Sequence, residues 1–287
     1  MPIKKLAVAI TFFYKEDRLQ YLRQISEAHQ GLADEVKTFV ATNAHSPHQL
    51  QAIRDCLACD DPSIVTPSYL GHPFLLPWAH RAIFRDLVDE DLGFTHYLYT
   101  EDDMLITKNN VDYWLETMEV LRPTGFLPGF VRFEVNPHRV EINVDHAWSS
   151  SFYELFKLEI DDYYMIGLHN PFHACYLLEH DHLVELLTTD ANCPDTGCWD
   201  IRAKAAQGLC FWNIPHGSKS RYLIKYSHDL ILDPGAKIHH LPENYSRNPT
   251  FFGELPLAKI VIKPSQGQIL RGKIKTAVGA LLPGILK

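Results

Sequence analysis

The sequence predicts an α/β fold: a mostly parallel central sheet flanked by helices, with a small antiparallel sheet or hairpin in the second half. Three observations predict it. β-rich apolar runs alternate with segments of helical spacing through the first half of the chain. The run at 6–13 is nearly continuous in apolar residues, and 36–42 and 94–100 are β-rich runs that read with it as strands buried on both faces. Beyond Gly125 the pattern breaks into short strand-like pieces.

Taken in order, residues 6–13 read as the first buried strand and 17–30 as a helix, with Leu19, Leu22, Ile25 and Ala28 on one face. Residues 36–42 form a second strand ending at Asn43, 47–59 a helix, and 63–69 a weaker third strand. A helix over 75–88 has Pro77 near its first turn, where proline is tolerated. The strand 94–100 follows, then a helix capped by Asn110 or Asp112 and running to about Leu121. In the second half, 130–134 and 139–145 predict a hairpin, while the aromatic, acidic stretch 153–164 fits no single pattern. Residues 172–178 predict a strand, 180–187 a helix, 199–207 a helix stopped by Gly208, and 209–215 a strand. The remainder reads as irregular, with an amphipathic stretch near 270–286.

The strand at 94–100 raises the sharpest question, because it ends in Glu101, Asp102 and Asp103. Three adjacent like charges at the tip of a buried strand repel one another and lose solvation. Either water or a cation must take them. Ligands of open parallel sheets bind beyond the carboxyl ends of the strands. Thr11-Phe12 and Thr42-Asn43 end their strands there too. In an extended segment Glu101 and Asp103 share a side, with Asp102 opposite. Two carboxylates so placed suit a hard cation such as Mn²⁺ or Mg²⁺, which would also attract a diphosphate. A solvated acidic turn is the plainer alternative.

Composition limits the choices. The chain has 287 residues, 46% hydrophobic and 22% charged, with a formal net charge of -8. That is ordinary globular composition, and it argues against a general nucleic-acid binder. Six cysteines in this length make no disulfide framework, and Cys56-x-x-Cys59 lacks the second pair a structural zinc site needs. The apolar start is short and ends in aromatic and charged residues, unlike a signal peptide. No apolar run reaches the ~18 residues of a membrane span. A cytoplasmic location is expected. The tail carries Arg271, Lys273 and Lys275 beside apolar residues. A docked or loose terminus explains that, and an interfacial helix giving peripheral membrane contact is the alternative.

YLYTEDDMLI resembles the aspartate-rich "DXD" strand end of the GT-A fold glycosyltransferases, members of the nucleotide-diphospho-sugar transferase superfamily. The likeness continues through FFYKEDRLQYLRQ, NPFHACYLLEHDHLVELL, CPDTGCWDIRAKAAQG and KIHHLPENYSRNP, in the family's order. It implies a single catalytic domain over 1–262, with a nucleotide-binding half (1–122), an acceptor and catalytic half (123–262), and a tail (263–287). It implies transfer of a sugar, of hexosyltransferase type and inverting, from a nucleotide-diphosphate donor to a glycan or lipid-linked hydroxyl acceptor. By the same resemblance Asp103, with Glu101 and a late histidine (His240, with His239 second), would hold Mn²⁺ or Mg²⁺. The first motif position is Glu101 rather than aspartate, so Asp103 is the firmer ligand, and Asp102 is left to the ribose or the metal.

Asp200, at a predicted helix start, matches the family's acid that deprotonates the acceptor; Asp195 is second, and Asp161 and Asp162 are outsiders. Each could equally be an ordinary loop or first-turn acid. Thr11, Phe12, Thr42 and Asn43 would line the nucleotide site, with the base stacking on Phe12, Phe13 or Tyr14. Arg81, Lys219 and Arg247 are candidate phosphate partners, against a plain reading as surface charge or packing. Two other classes fit clustered carboxylates and histidines: a metal-dependent phosphohydrolase, and a catalytically inactive nucleotide- or carbohydrate-binding protein.

Overall fold

The computed structural model describes residues 2–68, 71–170, 174–195, 199–249 and 252–263. Its central sheet has the order β12-β4-β1-β2-β3. The parallel strands are β1 (Lys5–Phe12), β2 (Glu35–Thr42), β3 (Ser63–Val65) and β4 (His96–Glu101), and β12 (Cys175–Glu179) runs antiparallel at one edge. Leu6 through Ile10 are all at most 1% exposed, so both faces of β1 are covered and the unbroken apolar run is explained.

The helices are α1 (Leu19–His29), α2 (Pro47–Cys56), α3 (Ala79–Asp89), α4 (Lys108–Leu121), α5 (His180–Thr188), α6 (Ile201–Ala205) and α7 (Asn244–Arg247). The start of α2 is a capping box, in which Ser46 Oγ accepts from the Gln49 amide and Gln49 Oε1 from the Ser46 amide. The 75–88 prediction divides into a 3-10 helix, Pro73–Trp78, and α3, because Pro77 has no amide to donate. The cap of α4 is Thr107, and Asn110 instead accepts from the Thr107 amide at 2.8 Å. Asn110 also donates to the carbonyls of Gly235 and Lys237, pinning the chain ahead of a late strand.

That strand belongs to a second sheet, ordered β5-β14-β7-β8, built from β5 (Met104–Leu105), β7 (Val131–Val135), β8 (Glu141–Asn143) and β14 (Lys237–His240). β7 and β8 are the predicted hairpin. A third sheet runs β10-β11-β13-β6, from β6 (Leu127–Pro128), β10 (Phe156–Ile160), β11 (Tyr163–Gly167) and β13 (Tyr222–Ser227); β9 (Ser150–Ser151) and β15 (Val261–Ile262) pair separately. The stretch without a clear pattern is thus the β10–β11 hairpin, turning at Asp161-Asp162.

Two expectations are corrected. Residues 209–215 are not a strand: Leu209 and Cys210 are buried in successive turns closed by Cys210 N to Gln207 O and Trp212 N to Leu209 O. Burial of a short apolar run does not need a sheet, and periodicity cannot separate the cases. Residues 237–240 are a strand and not loop, as β14 shows. β3 and α6 are also shorter than the runs 63–69 and 199–207 suggested. The tail after residue 263, and residues 172 and 173 of a predicted strand, lie outside the described residues.

His29, on the buried face of α1, is 1% exposed, and neither ring nitrogen has a hydrogen-bond partner among the described residues. Burial lowers its pKa from the ordinary 6.5 to about 4. The unfolded chain therefore takes up a proton that the folded chain refuses. The stabilisation is complete above the unfolded value and is lost as pH falls toward 4, amounting to about 3 kcal/mol by linkage. Urea unfolding of wild type and His29→Leu between pH 7 and pH 4.5 checks this. The wild type should lose stability more steeply than the variant, and parallel curves would refute the assignment.

Candidate functional site

The carboxyl ends of β1, β2 and β4 lie in register, with Thr11 opposite Glu101 and Phe12 opposite Thr42. Thr11 is 6% exposed, and its hydroxyl faces the buried Tyr99 phenol on the neighbouring strand. Thr42 Oγ1 accepts from the Ala44 amide, and Asn43 Oδ1 accepts from the Tyr14 amide at 2.6 Å, which fixes the chain leaving β1. Phe12 is fully buried and packs edge-on against Tyr14, whereas Phe13 is 42% exposed. Of the three aromatics, Phe13 is the most exposed.

The acidic triplet does not continue as extended strand. Glu101 ends β4, and Asp102 and Asp103 form the turn into β5. Both aspartates therefore face the same partner, contrary to the alternation expected of a strand. That partner is Arg18, just ahead of α1. Its Nε and Nη2 donate to the two Asp102 oxygens at 2.7 Å each, and Nη2 also donates to Asp103 Oδ2 at 2.7 Å. Part of the cation the triplet demands is built into the chain.

β14 supplies the next partner. It pairs antiparallel with β5, His240 opposite Met104, and the Leu241 amide donates to the Asp103 carbonyl at 2.9 Å. This register sets His240 Nε2 3.4 Å from Asp103 Oδ2. His240 Nδ1 lies 2.6 Å from Glu134 Oε1, and Glu134 Oε2 accepts from the Ser246 amide at 2.6 Å. Burial disfavours the imidazolium, yet Asp103 and Glu134 together raise His240 to about 9. Burial likewise works to raise Asp103, but His240 and Arg18 hold it well below the usual carboxylate range. Asp102 goes the other way: burial pushes it up to about 7 despite Arg18. Glu101 is also raised, by burial and then by Asp103, against Arg132, Arg202 and His240.

His239 points to the other side of β14, where it stacks on Phe133 and meets Glu243 at 3.5 Å. Strand alternation separates the two histidines. Arg132 and Glu134, two apart on β7, share a face and are both buried. Arg132 forms a two-pronged pair with Asp145, Nε to Oδ2 at 3.0 Å and Nη2 to Oδ1. Asn143 Oδ1 accepts from the Asp145 and His146 amides and fixes that loop.

Asp200 caps α6: its Oδ1 accepts from the amides of Arg202 and Ala203 at 3.0 Å each, and its residue is exposed. Arg202, in the first turn of α6, is one of the cations that lower the Glu101 pKa. α6 is anchored from below by Trp78 Nε1, which donates to Ile201 O at 2.7 Å, and by Arg81 Nη2, which donates to Ala205 O at 3.1 Å. Arg81 is 4% exposed between the rings of Trp78 and Tyr176, in packing and away from the rim. Asp195 is exposed in a turn ahead of α6. Lys219 is exposed in the loop before β13, with no ion pair among the described residues. Arg247 ends α7 and pairs with Glu243 at 2.6 Å. Asp161 and Asp162 sit in the β10–β11 turn.

The structure thus brings Glu101, Asp102, Asp103 and His240 together beside Thr11. It does not bring Lys219, Arg81 or His239 to the acidic turn. Sequence reasoning missed Arg18, Arg132, Glu134 and Asp145. The readable signal for two of them was Arg132 and Glu134 alternating with Val131 and Phe133 in a predicted strand, which puts charge on a face that must be buried or solvated.

Among the described residues no three His, Cys, Asp or Glu side chains converge to hold a metal ion. The donors present still suit one in part. Asp103 Oδ1 is buried and has no partner among the described residues, and Glu101 and Asp102 remain under-compensated. His240 is oriented through Nδ1 by a carboxylate, the usual support of a ligating imidazole. Such a half-site suits a cation whose remaining ligands come from a substrate's phosphates.

No protein-family model matches the sequence, and no curated protein matches it. Two solved structures show weak likeness. S. aureus TarS gives a TM-score of 0.35 at 11% identity, over 63% of this chain and 29% of that one. S. aureus TarS 1-349 gives 0.41 at 10% identity, over 83% of this chain and 61% of that one. The chain spans less than two thirds of either match. Likeness at that level establishes neither family nor activity. Among the described residues no helix is long and apolar enough to cross a membrane.

The Arg132–Asp145 pair generates a stability prediction, since both side chains are under 10% exposed. Asp145→Ala should cost about 3–5 kcal/mol, because a buried guanidinium loses its carboxylate. Replacing both, as Arg132→Met with Asp145→Leu, should restore part of that loss. Denaturant midpoints for the three proteins test it; a single variant as stable as wild type would exclude a paired, desolvated Arg132.

Proposed function

We propose that the protein transfers a sugar from a nucleotide-diphosphate donor to a hydroxyl acceptor with help from Mn²⁺ or Mg²⁺. One observation supports this above the others. The pairing of β14 with β5 sets His240 beside Asp103, at the carboxyl ends of β1, β2 and β4, where open parallel sheets bind ligands. The separate sequence resemblance selected the same residues.

In this reading Asp103 and His240, the latter after giving up its Nε2 proton, would hold the metal, with Glu101 nearby. When bound, such a cation would offset the donor diphosphate and the charge growing on it as it leaves. The chain's own residues do the rest. Glu134 holds the His240 ring so that Nε2 faces Asp103. Thr11, Thr42 and Asn43 shape the nucleotide rim, and Phe13 offers a face for the base. Asp200 keeps Oδ2 after Oδ1 has capped α6, and that oxygen accepts the proton of the acceptor hydroxyl in an inverting displacement. Asp195 is the second candidate for this role.

A thermal-shift experiment with UDP and GDP, each with and without Mn²⁺, tests the proposal. One nucleotide should raise the melting temperature by several degrees only when Mn²⁺ is present. Asp103→Asn should lose that response and reduce transfer by at least a hundredfold. If no nucleotide stabilises the wild type, or Asp103→Asn responds as wild type does, the reading falls. Release of phosphate from simple phosphoesters without an acceptor would favour a phosphohydrolase instead.

A further inference from the structure

We infer that Arg18 is a built-in counter-cation that keeps the acidic turn from taking up a divalent ion until a nucleoside diphosphate arrives with it. The inference rests on the donor-site reading above. Arg18 reaches the turn from outside the strand, with its own side chain 27% exposed and those of Asp102 and Asp103 at 6% and 8%. It ties up both Asp102 oxygens and one Asp103 oxygen, and leaves Asp103 Oδ1 buried without a partner among the described residues. Among the described residues, the one open oxygen of the aspartate pair therefore belongs to a carboxylate that already bears a guanidinium.

Two effects of Arg18 oppose each other. It orders the turn, which helps a metal, and it places a positive charge within a few ångströms of where a dication would sit, which repels it. For a divalent ion in a half-buried site the repulsion is the larger effect, because it scales with the product of the charges while ordering a two-residue turn gains little. A lone dication must also find its remaining ligands in water. A diphosphate changes both conditions, adding negative charge and oxygen ligands together. Cation and nucleotide should therefore bind with strong mutual assistance, and Arg18 sets how strong.

Electron paramagnetic resonance of free Mn²⁺ measures binding directly, without turnover. Titrations of wild type, Arg18→Met and Arg18→Lys, each alone and with UDP or GDP, give the comparison. Wild type should bind Mn²⁺ at least tenfold more tightly with one of the nucleotides than without. Arg18→Met should bind Mn²⁺ alone at least tenfold more tightly than wild type, and the nucleotide should then add less. Arg18→Lys keeps the charge and should behave as wild type, which also guards against misfolding of the methionine variant. Arg18→Met binding Mn²⁺ no better than wild type would overturn the inference, as would Arg18→Lys tightening as much as Arg18→Met. If neither nucleotide assists any protein but Arg18→Met still gains affinity for Mn²⁺, the donor reading falls and the role of Arg18 stands.

Discussion

The site depends on how a buried strand end carries carboxylates. Glu101, Asp102, Asp103, Glu134 and Asp145 surround one small region, and Arg18, Arg132 and His240 are the cations set against them. Two unit charges at 4 Å interact by about 4 kcal/mol at an effective dielectric near 20, so no member of this group can move without affecting the others. Arg202 also lowers the Glu101 pKa, so five acids meet four cations here. Burial is the first cause of the upward shifts of Glu101 and Asp102, and the neighbouring Asp103 carboxylate adds to it.

The same constraint explains the topology around the site. β14 has to pair with β5 for His240 to reach Asp103, and β5 has to follow the acidic turn directly. β7 lies on the other side of β14, in parallel register, which brings Glu134 to His240 and carries Arg132 on the same face. α4 holds the approach to β14 through Asn110. A long-range pair is thus built from short, locally determined steps.

Much of the first half was legible in the sequence. β-rich runs gave β1, β2 and β4 within a residue or two, most plainly β1, whose burial on both faces leaves no polar alternate to blur it. The second half was harder for a physical reason. β14 is short and mixed in polarity, and both it and β13 are stabilised by partners distant in sequence, so no local period announces them. The acidic triplet and His240 were readable as types of residue. Their partners were not. Arg18 sits in an unremarkable charged helix start, and nothing in its neighbours says that it reaches across to Asp102.

Arginine rather than lysine at position 18 also follows from geometry. A guanidinium offers a planar fork, and here Nε and Nη2 each meet one oxygen of Asp102 while Nη2 has a hydrogen left for Asp103. One side chain therefore orients two adjacent carboxylates, and the Asp103 oxygen it leaves unpartnered is fixed by which oxygen it takes. An ammonium could balance the same charge but would not impose that orientation. The chain thus sets charge and geometry at the acidic turn with separate features: the charge of Arg18 governs how strongly the turn attracts a further cation, and its fork governs which carboxylate oxygen is left to receive one.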